Sequence, residues 1–107
     1  DLEEKGKITL QFVPDYSKHN AHMFYFKTRS LEERAKLIKY LKDNGVQAVF
    51  HYIPLHNSPA GKKFGKFNGE DKYTTLESEK LIRLPMYYGI TKADQDVVIK
   101  EIREFYK

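Results

Sequence analysis

The chain has 107 residues, which suits one domain with a single core. Hydrophobic residues make up 40% of it and aromatics 14%, a balance that excludes a disordered tail. The lack of cysteine excludes disulfides and thiolate metal sites and fits a reducing compartment such as the cytoplasm. No apolar run approaches the ~20 residues that cross a bilayer as a helix. A net charge of +4 suits either an anionic ligand or a merely solvated basic surface.

Residues 1–21 are the least regular part. Ile8, Leu10, Phe12 and Val13 alternate briefly before Pro14-Asp15 and Asn20 interrupt them. The opening Asp1-Leu2-Glu3-Glu4 carries no Met and reads as the exposed end of something longer. This stretch is expected to be a lead-in from a preceding domain, docked weakly on the rest. From His22 to Lys27 the chain is aromatic-rich and reads as a first main strand.

A well-signalled helix follows. Ser30 as N-cap and Glu33 three residues later form a capping-box pattern. Leu31, Ala35, Ile38 and Leu41 recur at helical spacing and predict its buried face. Asn44-Gly45 ends it, with Gly45 free to take a left-handed conformation. Val46 to Tyr52 predicts a second strand, and Pro59 to Phe64 a short helical turn. Thr74 and Glu77 suggest another capping box, opening a helix to about Arg83. Leu84 to Tyr88 reads as a third strand, placed at a sheet edge or strand end by Pro85. Thr91 caps a final helix whose buried stripe is Val98, Ile102, Phe105 and Tyr106, with Val97 beside it.

The predicted fold is therefore α+β, a two-layer domain with a small, mainly antiparallel sheet covered by helices on one face. The crossover between the first two strands is long enough for them to run parallel, with the third antiparallel to one or both.

The segment His51-Tyr52-Ile53-Pro54-Leu55-His56-Asn57-Ser58-Pro59-Ala60-Gly61 concentrates the chemistry. Polar side chains on a stiff loop after a strand are typical of binding and catalytic sites. The plain alternative is a proline-stiffened loop whose histidines cap nearby backbone. The His19/His22 and His51/His56 spacings match no metal motif. Gly61-Lys62 lacks the Ser or Thr of a nucleoside-triphosphate loop. An RNA-recognition pattern is missing, and so is a nucleophile elbow. The functional reading makes His51, Tyr52 and His56 the wall of a pocket for a polar ligand. Pro54 and Pro59 would limit the entropy cost of holding those side chains ready.

Three stretches carry a family resemblance. His22-Met23-Phe24-Tyr25, His51-Tyr52-Ile53-Pro54-Leu55-His56 and Leu81-Ile82-Arg83-Leu84-Pro85-Met86-Tyr87 resemble the C-terminal domain of the DegT/DnrJ/EryC1/StrS sugar-nucleotide aminotransferases. The run His51 to Gly69 is most similar to a branch that aminates dTDP-4-oxo-6-deoxy-D-glucose for enterobacterial common antigen. The resemblance implies residues 22–107 as the small domain of a fold type I enzyme dependent on pyridoxal phosphate. Its partners would be L-glutamate, a nucleotide sugar, a large domain and a second subunit, with neither nucleic acid nor membrane. It also implies that His51, Tyr52 and His56 bind substrate. The family's cofactor lysine belongs to the large domain, so no catalytic residue, no cofactor and no activity are expected of these 107 residues alone. Lys62 and Lys63 are weaker candidates for contacts to a nucleotide diphosphate. Outside the family, the alternative is a stand-alone α+β module for phosphorylated ligands or RNA.

Overall fold

A computed structural model describes all residues from Asp1 to Lys107. Four strands, β1 (Thr9–Leu10), β2 (Tyr25–Lys27), β3 (Val49–Phe50) and β4 (Leu81–Arg83), form one sheet in the order β1-β2-β4-β3. Every neighbouring pair is antiparallel. Strands β2 and β3 thus point the same way, as the long crossover predicts, but β4 lies between them. Four helices complete the fold: α1 (Leu31–Asp43), α2 (Pro59–Phe64), α3 (Thr74–Lys80) and α4 (Lys92–Phe105).

Register aligns Leu10, Phe26, Ile82 and Phe50 in one row across the sheet, so their side chains share a face. The two central members, Phe26 and Ile82, are fully buried, whereas Leu10 and Phe50 lie at the edges and stay partly exposed. Leu37 and Leu41 of α1 and Ile102 of α4 join that central pair in the core, with Tyr106 just beyond α4. Tyr40 and Phe105 bring their rings to 5.5 Å where the two helices meet.

Helix α1 begins as predicted, with the Ser30 hydroxyl accepting from the Glu33 N–H at 3.2 Å. The return half of the capping box does not form. Glu33 instead pairs with Arg29 at 2.7 Å and accepts the Tyr106 hydroxyl at 2.6 Å. At the other end Gly45 takes φ +78°. Val46 then donates to the Leu41 carbonyl at 2.8 Å and Gly45 to that of Lys42 at 3.1 Å, the paired bonds of a Schellman motif. Helix α4 opens on the complete Thr91–Asp94 capping box, and its stripe of Val98, Ile102, Phe105 and Tyr106 is buried or half-buried.

Four local expectations are corrected. The buried face of α1 is Leu37 and Leu41, while Leu31 and Ala35 are exposed. Arg34 lies on the inner side, its guanidinium donating to the Ser78 carbonyl at 2.8 Å and sitting 5.2 Å from the Phe50 ring. A charged residue with a long apolar stem thus occupies a position that spacing alone reserves for a hydrophobe. The second strand pairs only over Val49–Phe50, because Val46 and Ala48 turn inward to the core beforehand. Helix α3 stops at Lys80, and the next three residues form β4 instead of a last helical turn. The strand expected over Leu84–Tyr88 is loop. Leu84 still donates to the Phe24 carbonyl at 3.0 Å, and Pro85, with no N–H, ends the ladder there.

The lead-in also takes part in the sheet. Its β1 pairs with β2, and Leu2 and Ile8 pack against the core.

Candidate functional site

The chain leaves β3 at Phe50 and enters the loop read from the sequence. Leu55–Asn57 form a single 3-10 turn, and Ser58 caps α2 immediately after it. The Ser58 hydroxyl accepts from the Gly61 N–H at 3.0 Å and donates to the Leu55 carbonyl at 2.7 Å. Pro59 takes the first helical position, where a missing N–H costs nothing. A Cβ on Gly61 would lie 1.7 Å from the Leu55 carbonyl oxygen, so this close fold-back requires glycine. Lys62 and Lys63 stand in the last turn of α2. The Lys63 ammonium lies 5.0 Å from the centre of the Phe64 ring.

His56 is the best-anchored of the three sequence candidates. Its Nε2 lies 2.7 Å from Asp71 Oδ2 and 3.3 Å from Thr75 Oγ1. The Thr75 hydroxyl donates to the same Asp71 oxygen at 2.5 Å, and the Thr75 N–H donates to Oδ1 at 3.3 Å. Asn57 closes the cluster by donating to Thr75 Oγ1 at 2.7 Å. The His56 ring also tilts against Phe67, with centroids 4.4 Å apart. The Thr75 hydroxyl is the main reason that the Asp71 carboxyl titrates below its ordinary range; His56 adds to the effect and partial burial opposes it. Both side chains are about one-fifth exposed, so the pair is shielded but reachable.

Asp71, Thr75 and Asn57 are the site residues that sequence reasoning missed. The three-residue step from Thr74 to Glu77 drew attention to capping instead. Yet Tyr73 precedes α3 and offers no side-chain cap, and Glu77 pairs with Lys27 at 2.6 Å. The four-residue step from Asp71 to Thr75 was the usable signal. An Asp just ahead of a helix commonly binds an N–H of its first turn.

The three candidates do not share one pocket. His56 lines a cleft of about 510 Å³ with Leu55, Gly61, Phe64 and Phe67. Tyr52 lines a smaller groove of about 280 Å³ beside Arg34, Phe50 and Asn57. The His51 ring meets Tyr52 edge-on at 4.4 Å, and its Nδ1 is buried with no hydrogen-bond partner. Tyr52 itself is 71% exposed. Asn57 and Thr75 stand at the boundary between the two hollows, since they line the groove and also bind the His56 cluster.

The residues present do not fit a covalent pyridoxal phosphate site. Such a site needs a lysine amine beneath the cofactor ring and a cradle of donors for its phosphate. The two most sheltered of the ion-paired lysines, Lys27 and Lys80, are both tied to Glu77. The large cleft has Lys66 as its single lysine, among Phe64, Phe67 and backbone-rich glycines. No three His, Asp or Glu side chains converge as metal ligands would. No helix is long and apolar enough to cross a membrane.

Residues 1–103 match the model of the DegT/DnrJ/EryC1/StrS aminotransferase family, and the chain belongs to that family. It is 28% identical over 107 residues to a pleiotropic regulatory protein of Geobacillus stearothermophilus, covering 99% of this chain and 29% of that protein. The spore coat polysaccharide biosynthesis protein SpsC of Bacillus subtilis is also 28% identical, over 95% of this chain and 27% of its own length. Among solved structures, NtdA of Bacillus subtilis with bound cofactor PMP superposes with a TM-score of 0.76 at 30% identity, over 97% of this chain and 24% of that one. The aminotransferase TlmJ of Streptoalloteichus hindustanus shares the fold, with a TM-score of 0.80 at 21% identity, over 94% of this chain and 26% of its own. The chain thus spans a little over a quarter of the length of the curated relatives it matches.

Proposed function

We propose that this chain is the C-terminal small domain of a sugar-nucleotide aminotransferase dependent on pyridoxal phosphate, and that its His51–Gly61 loop forms part of the sugar side of the active site. The observation that carries this reading is His56, held by Asp71 and Thr75 at the wall of an aromatic-lined cleft. Sugar rings suit such a place: their C–H faces pack on aromatic rings while their hydroxyls need fixed donors and acceptors. Burial supports a larger whole. Only nine residues are buried, whereas Phe12, Tyr16, Phe64 and Tyr88 are each more than four-fifths exposed. Apolar surface on that scale calls for a cover, which a large domain and a second subunit would supply.

In this reading the amino group travels from L-glutamate to the C4 keto group of dTDP-4-oxo-6-deoxy-D-glucose, in cytoplasmic synthesis of a surface polysaccharide of the enterobacterial common antigen type. Pyridoxal phosphate, when bound elsewhere in the whole protein, serves as the electron sink. The residues of this chain bind and orient the sugar: His56 through a hydrogen bond and Tyr52 from the neighbouring groove, with His51 packed edge-on against the Tyr52 ring. The test is steady-state kinetics of the full-length protein with His56→Ala. The expected result is a rise in KM for the sugar nucleotide of about three- to tenfold, the worth of one neutral hydrogen bond, with the glutamate half-reaction unchanged. If KM and kcat for the sugar nucleotide both stay at wild-type values, the reading is wrong.

A further inference from the structure

The cluster around His56 has a direction, because each of its groups is limited in what it can donate or accept. Ionised Asp71 only accepts. The Thr75 hydroxyl has one proton and spends it on Asp71 Oδ2. The Asn57 amide N–H fills a lone pair of Thr75 Oγ1. What faces His56 Nε2 is therefore a carboxylate oxygen at 2.7 Å and a hydroxyl oxygen at 3.3 Å, two acceptors and no donor. A ring nitrogen in that position must carry a proton. Both hydrogen bonds of the ring fall on Nε2, and the chain gives Nδ1 no hydrogen bond of its own.

We infer that Asp71 and Thr75 hold His56 as the Nε2–H tautomer, leaving Nδ1 as an acceptor for a hydroxyl of the sugar, and that Asp71 is a positioning residue of this site. The ligand half of this inference rests on the proposed function; the tautomer half stands on the geometry alone. The cluster joins two distant stretches of chain, because Asn57 and His56 leave the loop while Asp71 and Thr75 belong to the approach and first turn of α3. It therefore fixes the ring in position as well as in protonation. Phe67 against one side of the imidazole limits rotation about its last side-chain bond. A preset acceptor costs a ligand less ordering entropy than a ring that must choose its tautomer on binding. When the ring is neutral, its bare Nδ1 also selects for donors. It favours a sugar hydroxyl and disfavours a ligand group that can only accept, such as a keto oxygen, in the same place.

The first test is nitrogen-15 NMR of the 107-residue chain, at a pH where the ring is neutral. A pyrrole-like Nε2 and a pyridine-like Nδ1 are expected for His56. The reverse assignment, or an even mixture, overturns the inference without recourse to any variant. Asp71→Asn is the second arm. A carboxamide leaves the Thr75 hydroxyl and His56 competing for one acceptor oxygen, so the Nε2–H population should fall while the dispersion of the backbone spectrum stays native. Unchanged tautomer populations in that folded variant would also count against the role of Asp71. The third arm uses the full-length protein. Asp71→Asn should raise KM for the sugar nucleotide by about as much as His56→Ala, with no further loss in the double variant, since both act through one hydrogen bond. Additive losses would show that Asp71 does not act through His56. A tautomer as expected with kinetics unchanged by either substitution would remove the sugar reading and leave the tautomer assignment standing.

Discussion

Replacing Gly61 with Ala probes the loop that presents His56. The new methyl would start 1.7 Å from the Leu55 carbonyl oxygen and 2.6 Å from its carbon. Reaching even the 3.0 Å lower limit of real contacts requires a retreat of 1.3 Å by backbone atoms. That carbonyl is held in place because it accepts the Ser58 hydroxyl at 2.7 Å and the Ser58 N–H at 3.1 Å. The retreat breaks both, and the new methyl also crowds Ser58 Oγ at 3.1 Å, which disrupts the Ser58 cap of α2. A lost serine cap costs about 1 kcal/mol, and forced overpacking adds about 1–3 kcal/mol, so the native loop geometry loses roughly 2–4 kcal/mol. Helix α2 packs mainly on the 3-10 turn and contributes no residue to the core. The chain can therefore escape by local unwinding, which limits the cost to the local opening free energy. Hydrogen exchange is the suitable assay. The N–H groups of Lys62 and Gly65, bonded to Ser58 and Gly61 carbonyls, should lose protection, while those of Phe26 and Ile82 in the central strands keep theirs. Urea unfolding should shift by less than the local loss. Wild-type protection at Lys62 and Gly65 in a folded Gly61→Ala chain would refute the reasoning.

Two further outcomes follow from local geometry. Gly45→Val should destabilise the chain by about 1–2 kcal/mol in urea unfolding, because φ +78° is unfavourable for any side chain and worst for a β-branched one, and Gly45→Asn should cost less. The Thr91 hydroxyl, foremost, and the Thr91 N–H hold the Asp94 carboxyl below its usual 3.8, so this cap contributes stability above that pH and loses it as pH falls through the lower folded-state value. Asp94→Ala should therefore flatten the stability profile below about pH 4, and an acid limb identical to wild type would contradict the assignment.

The helix ends were legible because their signals are local. Ser30, Thr91 and Gly45 act on backbone groups within a few residues, and those bonds form whatever else the chain does. The α4 stripe was legible too, since four apolar residues at helical spacing leave little choice of face. In α1 the same reasoning chose Leu31 and Ala35 over Leu37, because the stem of Arg34 supplies part of the inner surface and spacing does not count it.

The stretch Thr74 to Tyr88 misled for a deeper reason. Leu81-Ile82-Arg83 has no strong preference between helix and strand over three residues. It becomes a strand because β2 and β3 leave a central slot between them, where its backbone pairs on both sides and Ile82 reaches the core. That slot is bounded by residues 25–27 and 49–50, which lie far from residues 81–83 along the chain.

By itself the sequence determined the class of fold and the caps of its two long helices, and it singled out the loop that the proposed function rests on. All of these rest on interactions between near neighbours in the chain or on motif residues in one stretch. The tertiary structure alone decided the central place of β4 and the separation of Tyr52 from His56 into different hollows. It also decided the partnership of His56 with Asp71, fifteen residues away. Such pairings depend on which segments the sheet brings side by side, and no spacing along the chain encodes that distance.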